Sequence, residues 1–280
     1  MSDRAWLQVN VALSRESGGM VTNARAVFDL VMQNLPDWRR RQVVSGFFFM
    51  RKPPGLRLRF EVAEPVETVL SQLRPGLHAL RSAGRVIRFF PSIYEPETHL
   101  FGGALAMRLV HRYFDVDSMG WVTFDRLERS GKLRVLSDTA LSVAVLNDLF
   151  LRAGLDGSEL WDAWQNLVKL TRVGGITEDH DTHPALVLLQ ALLLTVAPEE
   201  AQILTRYARA NATLSRGLLR LWERGRLNAG LRAILAFVAL FHLNRYGYGP
   251  ARGRALAATM AAAWDPRTTL LGWHEGGSGH

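Results

Sequence analysis

The chain has 280 residues, 48% hydrophobic and 21% charged, which is enough for a sizeable core and far from the composition of a disordered segment. It contains no cysteine, which excludes disulfides and thiolate metal sites and favours a cytoplasmic setting. The net charge is +8 with arginine far outnumbering lysine; a field of that sign attracts anionic partners, although arginine richness also follows from a high-GC genome.

The opening MSDRAWLQVN lacks the apolar stretch of a signal peptide, and apolar runs such as 185–197 are too short to span a bilayer. Residues 6–13 (WLQVNVAL) alternate apolar and polar side chains as a half-buried strand does. Further strands are predicted at 47–51 and 56–62, joined by a Lys52-Pro53-Pro54-Gly55 turn, and at 85–90. Helices are predicted at 23–34 and 65–83, the second with Glu64 and Glu67 at its favourable end. From Gly103 the pattern is helical: 104–114, 137–153 capped by Ser137 or Asp138, 158–172, 183–196, 198–210, 213–223, 227–243 and 253–263. The expected architecture is α+β, an N-terminal sheet with flanking helices followed by a helical layer. Short linkers predict a single domain over residues 1–275, with GGSGH at 276–280 read as a linker and truncated His tag.

Three places carry candidate chemistry. Arg57 and Arg59 lie two apart on a strand and share a face, either as solvated charges or as a clamp for an anion or carbonyl. Glu178, Asp179, His180, Asp181 and His183 match no metal-ligand spacing and read as capping and loop residues, so no metal is expected. The segment FHLNRYGYGP (241–250) ends an apolar helix with His242, Asn244, Arg245, Tyr246 and Tyr248. It is read either as a pocket lining or as a helix cap with Gly247 left-handed and Pro250 as the stop. No phosphate-binding glycine loop, nucleophile elbow or nucleic-acid motif is present.

Four pieces in order, RKPPGLRLRF (51–60), PSIYEPETHLFGG (91–103), FDVDS (114–118) and HLNRYG (242–247), resemble the C-terminal elimination domain of class I lanthipeptide dehydratases. They are most similar to its stand-alone, thiopeptide-type relatives. The resemblance implies that fold and a place in ribosomal-peptide antibiotic biosynthesis, with no metal and no organic cofactor. Two activities occur in that superfamily. One eliminates glutamate from glutamylated Ser/Thr. The other, pyridine synthase, joins two dehydroalanines by formal aza-cycloaddition and expels water and the leader peptide to close a macrocycle. Relatives that eliminate glutamate carry Arg-Tyr before the glycine pair, where Leu100-Phe101 stands here, and a histidine at the position of Leu240. Arg57, Arg59 and Glu97 are retained. The pattern therefore implies a pyridine synthase; the alternatives are the glutamate eliminase and a non-catalytic leader-binding subunit.

By position in that family's pocket, the expected catalytic residues are His242 and Tyr246, one helical turn apart, with Arg57 and Arg59 polarising a carbonyl. Tyr94, Glu97, Asn244 and Arg245 are the expected substrate-binding residues. The expected partners are a dehydrated, azole-containing precursor peptide with an acidic leader and other enzymes of the pathway, with neither nucleic acid nor membrane. Arg39, Arg40, Arg41, Arg51 and Lys52, basic residues beside apolar strands, are the expected leader-binding surface; the alternative for 38–41 is a solvated helix end.

Overall fold

The computed structural model describes residues 5–16, 18–63, 65–171 and 197–267. Glu64, the predicted helix 183–196, the terminal GGSGH and the segment holding Glu178, Asp179, His180, Asp181 and His183 lie outside the described residues. The chain divides into two units, Met1–Pro96 and Glu97–His280.

In the first unit, strands β1 (Ala5–Leu13), β2 (Val44–Lys52), β3 (Gly55–Val62) and β4 (Val86–Ser92) form an antiparallel sheet in the order β2-β3-β1-β4. Alternation sorts its faces. Leu7 opposes Phe60 and Val9 opposes Leu58 on one face, while Gln8 opposes Arg59 and Asn10 opposes Arg57 on the other. Helices α1 (Gly19–Arg40) and α2 (Val66–Ser82) cover the apolar face. Phe28 meets Phe49 at 4.4 Å between ring centroids, Trp38 meets Phe60 at 5.8 Å, and His78 meets Phe89 at 5.0 Å.

Helix α1 runs well past the predicted 23–34. Pro36 lies inside it and removes one backbone donor, a local loss. The next turn is fixed by Trp38, which is fully buried and whose indole N–H donates to Gln72 Oε1 at 2.6 Å. Residues 38–41 are thus a solvated helix end only at Arg40 and Arg41; Trp38 belongs to the core.

The second unit is helical: α3 (Ala104–Arg129), α4 (Asp138–Arg152), α5 (Gly157–Leu170), α6 (Pro198–Glu223), α7 (Leu231–Arg245) and α8 (Pro250–Ala263). Ser137 caps α4 by accepting from the Ala140 N–H at 3.1 Å. Helices α3 and α6 pack antiparallel, with Gly120 against Tyr207 and Gly217 against Leu109. Helix α6 is continuous where two helices, 198–210 and 213–223, are predicted. The donors at the expected break find acceptors, the Asn211 amide on α4 and the Thr213 hydroxyl in its own helix. Asn211 faces inward and donates to the Val145 carbonyl at 2.9 Å and to Asp148 Oδ2 at 2.8 Å, and Thr213 donates to the Arg209 carbonyl at 2.8 Å. Helix α7 begins at Leu231, four residues after the predicted start. It ends with the left-handed Gly247 (φ 81°), and Pro250 opens α8.

Candidate functional site

In the helical unit, the predicted residues His242, Arg245 and Tyr246 converge on a carboxylate. Asp117, on α3, is fully buried. His242 Nδ1–H donates to its Oδ1 at 2.7 Å and the Tyr207 hydroxyl donates to the same oxygen at 2.6 Å. Arg245 Nε donates to Oδ2 at 2.6 Å. Because Tyr207 spends its proton on Asp117, the Tyr246 hydroxyl, 2.9 Å away, is the donor to Tyr207. His242 Nε2 faces Ser142 Oγ at 3.1 Å. The His242 and Tyr246 rings stack at 4.5 Å, as their spacing of one turn predicts, and the Arg245 guanidinium lies over Phe114 at 4.2 Å.

The electrostatics follow from this packing. Burial alone would push the Asp117 carboxyl up, but His242 and Arg245 beside it hold it well below the usual carboxylate range. Burial, reinforced by the Asp117 charge, pushes the Tyr207 and Tyr246 hydroxyls well above the usual phenol range. Helices α3, α4, α6 and α7 thus share one continuous chain of proton-carrying groups, Tyr246–Tyr207–Asp117–His242–Ser142. His242 has 0% exposure, so this chain lies behind the surface.

The segment 97–103 shapes the start of α3. The Leu100 N–H donates to the Glu97 carbonyl at 2.9 Å and the Gly103 N–H to the Thr98 carbonyl at 2.8 Å, with Gly102 and Gly103 both at positive φ. Phe101 is fully buried among Phe114, Phe237 and Phe241, at centroid distances of 5.5, 6.2 and 5.2 Å. The apolar residue before the glycine pair is therefore a core plug. Glu97 is half-buried, and its Oε2 is buried without a hydrogen-bond partner among the described residues. Asn244 is also half-buried.

In the sheet unit, Arg59 is 4% exposed, so it is not a solvated strand charge. Its Nε donates to Gln8 Oε1 at 2.8 Å, and its guanidinium lies 4.2 Å over the Tyr94 ring and 5.1 Å from that of Phe48. Gln8 Nε2 in turn donates to Ser92 Oγ at 2.9 Å, and Asn10 Nδ2 donates to the same oxygen at 2.7 Å. Trp6 and Phe48 pack edge-on against Tyr94 at 5.3 and 5.7 Å. Arg57 is half-exposed and has no acidic partner among the described residues; with Lys52 and Arg88 it lines a shallow pocket of about 100 Å³.

The five predicted leader-binding residues are not one patch. Arg39, Arg40 and Arg41 precede the start of β2, while Arg51 and Lys52 end it; nine residues of strand span roughly 25 Å. Arg40 and Arg41 pair with Asp37 at 2.5 and 3.4 Å, and the Arg51 guanidinium lies 5.7 Å from the Phe49 ring. Asp117, Tyr207, Ser142 and Gln8 are partners that sequence reasoning did not single out. Only Asp117 carried a signal, as the second aspartate of FDVDS.

A four-stranded antiparallel sheet unit joined to a helical unit is the fold of a lantibiotic dehydratase C-terminal domain. The chain belongs to the lantibiotic biosynthesis dehydratase C-terminal family, whose model matches residues 6–264. The family places it in ribosomal-peptide antibiotic biosynthesis. The fold is shared with the tRNA-dependent lantibiotic dehydratase MibB from Microbispora sp. 107891, at TM-score 0.67 and 17% identity over 95% of this chain and 28% of that one. It is shared also with TsrL (TM-score 0.53, 15% identity, 96% of each chain) and with the pyridine synthase TbtD from thiomuracin biosynthesis (TM-score 0.53, 14% identity, 93% and 97%). This chain therefore spans about a quarter of MibB and nearly the whole of TsrL and TbtD. No curated protein sequence matches it. Among the described residues no helix is long and apolar enough to cross a membrane, and no cluster of metal ligands occurs.

Proposed function

We propose that this protein is a pyridine synthase that joins two dehydroalanines of a dehydrated, azole-bearing peptide and releases the leader. The observation that carries the reading is the environment of Leu100-Phe101. Glutamate-eliminating relatives carry Arg-Tyr at these positions. Here Leu100 is apolar and half-buried, and Phe101 closes an aromatic core. The retained cations Arg57 and Arg59 suit a neutral, polarisable carbonyl once that arginine is lost.

The reaction closes a ring within one flexible chain, so positioning contributes most. Fixed geometry supplies roughly 7–11 kcal/mol of such a barrier. One amide reacts as its imidic tautomer, and loss of water and of the leader carboxamide then aromatises the ring, each step moving a proton. Arg59, held by Gln8 and seated on Tyr94, is the rigid donor for the carbonyl. Arg57, Glu97 and Asn244 are the further groups assigned to the substrate, with no metal or organic cofactor assigned a role. His242 and Tyr246 are buried and act as positioning residues; with Asp117 they hold Arg245 and the end of α7. The precursor peptide and neighbouring pathway enzymes are the partners in this reading, which places the protein in the cytoplasm.

Mass spectrometry decides between this activity and glutamate elimination. Incubation with a dehydrated, azole-bearing peptide should yield a free leader carboxamide and a cyclic core lighter by the leader amide and one water. Loss of glutamate from a glutamylated peptide, with no ring closure on the dehydrated one, would establish the eliminase instead.

A further inference from the structure

In the helical unit, helices α3 and α6 flank a cavity of about 670 Å³. That volume is ample for several side chains of a ligand. Its floor is apolar, from Leu109, Val116 and Leu214. Three arginines, Arg112, Arg206 and Arg209, line it and are exposed, and no carboxylate lines it among the described residues. Neither Arg112 nor Arg209 has an acidic partner among the described residues, whereas Arg40 and Arg41 share Asp37. The lining also includes Tyr113, which is 2% exposed and whose hydroxyl has no hydrogen-bond partner among the described residues. A buried hydroxyl without a partner is costly, and a ligand oxygen that it can reach removes that cost.

We propose that this groove binds a peptide segment in which carboxylate side chains alternate with aliphatic ones. The arginines hold the carboxylates, the apolar floor takes the aliphatic groups, and the Tyr113 hydroxyl donates to a peptide or carboxylate oxygen. If the pyridine synthase reading holds, the segment is the acidic leader, and its handle is the α3–α6 groove, not the arginines at either end of β2. Occupancy of the groove itself does not depend on that reading.

The test uses the full chain and a fluorescein-labelled peptide of repeating Leu and Glu, followed by anisotropy. The expected result is binding that weakens as salt rises, and at least about tenfold weaker binding of the matched Leu/Gln peptide, as screened charge pairs require. The Arg112→Ala/Arg209→Ala variant should lose about tenfold or more in affinity while keeping the wild-type melting curve, since both side chains are exposed. Tyr113→Phe should weaken binding by a smaller factor, and Arg39→Ala/Arg40→Ala/Arg41→Ala should leave it unchanged. No binding, equal binding of the Leu/Gln peptide, or loss confined to the Arg39–Arg41 variant would overturn the proposal. Turnover of a dehydrated peptide is read separately, so failure of the groove and failure of the assigned reaction give different results.

Discussion

Arg245 Nε stands 2.6 Å from Asp117 Oδ2, and neither side chain has any exposed surface. Two opposite charges withdrawn from water depend on each other. Removing one leaves the other buried and uncompensated, which costs about 3–5 kcal/mol. Asp117→Leu or Arg245→Met alone should therefore lower the unfolding free energy by about that amount. The Asp117→Leu/Arg245→Met pair should lose less than the sum of the single changes, because it removes both charges together. Urea denaturation of the four proteins measures this. Additive losses would mean that the pair is not the coupled unit its geometry indicates.

The same network predicts how stability responds to pH. The Asp117 pKa is depressed in the folded chain, so its contribution is complete above the unfolded value of about 3.9 and is lost as pH falls below it. The Tyr113, Tyr207 and Tyr246 pKa values are raised, so their contribution is complete below about 10 and is lost as pH climbs beyond it, where the unfolded chain ionises first. Denaturation midpoints should fall at both ends. Tyr207→Phe should flatten the alkaline limb and Asp117→Asn the acid limb. An alkaline limb unchanged by Tyr207→Phe would count against the assignment.

Gly120 of α3 lies against the Tyr207 side chain of α6. A Cβ there would stand 2.4 Å from the Tyr207 hydroxyl, and helix backbone offers no easy retreat. Gly120→Ala, which raises helix propensity, should nevertheless destabilise by about 1–3 kcal/mol through overpacking. Gly120→Ala in a Tyr207→Phe background should cost less. Thermal melts of the three variants test this, and a stabilised Gly120→Ala would refute it.

For turnover, Arg59 carries the sharpest expectation. Arg59→Lys keeps the charge but loses the Nε donor to Gln8 and the planar stack on Tyr94. With a dehydrated peptide as substrate, kcat should fall on the order of 10²-fold, the size associated with losing one preorganised donor. Gln8→Ala acts through Arg59 and should lower kcat with little change in KM. Gln8→Glu, which keeps the acceptor, should restore most of the loss. Equal damage from both Gln8 variants would point to general disruption of the sheet.

The alternation of WLQVNVAL and the arginine pair in LRLRF were enough to fix β1 and β3 and the split between faces, because a period of two is local. The burial of Arg59 was not legible, since it depends on Gln8 of the neighbouring strand and on Tyr94 beyond the sheet. His242 and Tyr246 announced themselves by a spacing of four along one helix. The His242 acceptor Asp117 lies 125 residues away and the Tyr246 acceptor Tyr207 lies 39 away, separations that no local pattern reports. The break expected at Asn211 shows the same limit: a residue that favours loops by itself is held in a helix because Val145 and Asp148 of another accept its amide N–H groups.

The Asp117 hub also works as an alignment key. Greasy helix faces can slide along one another in small steps with little penalty, but each residue of slip turns a helix by about 100° and advances it by about 1.5 Å. A one-residue slip of α3, α6 or α7 would swing Asp117, Tyr207 or the His242–Arg245 pair out of reach at once. The bundle has one admissible setting, and the side chains that set it are those at the end of α7, next to the Asn244 that the proposed reaction assigns to the peptide.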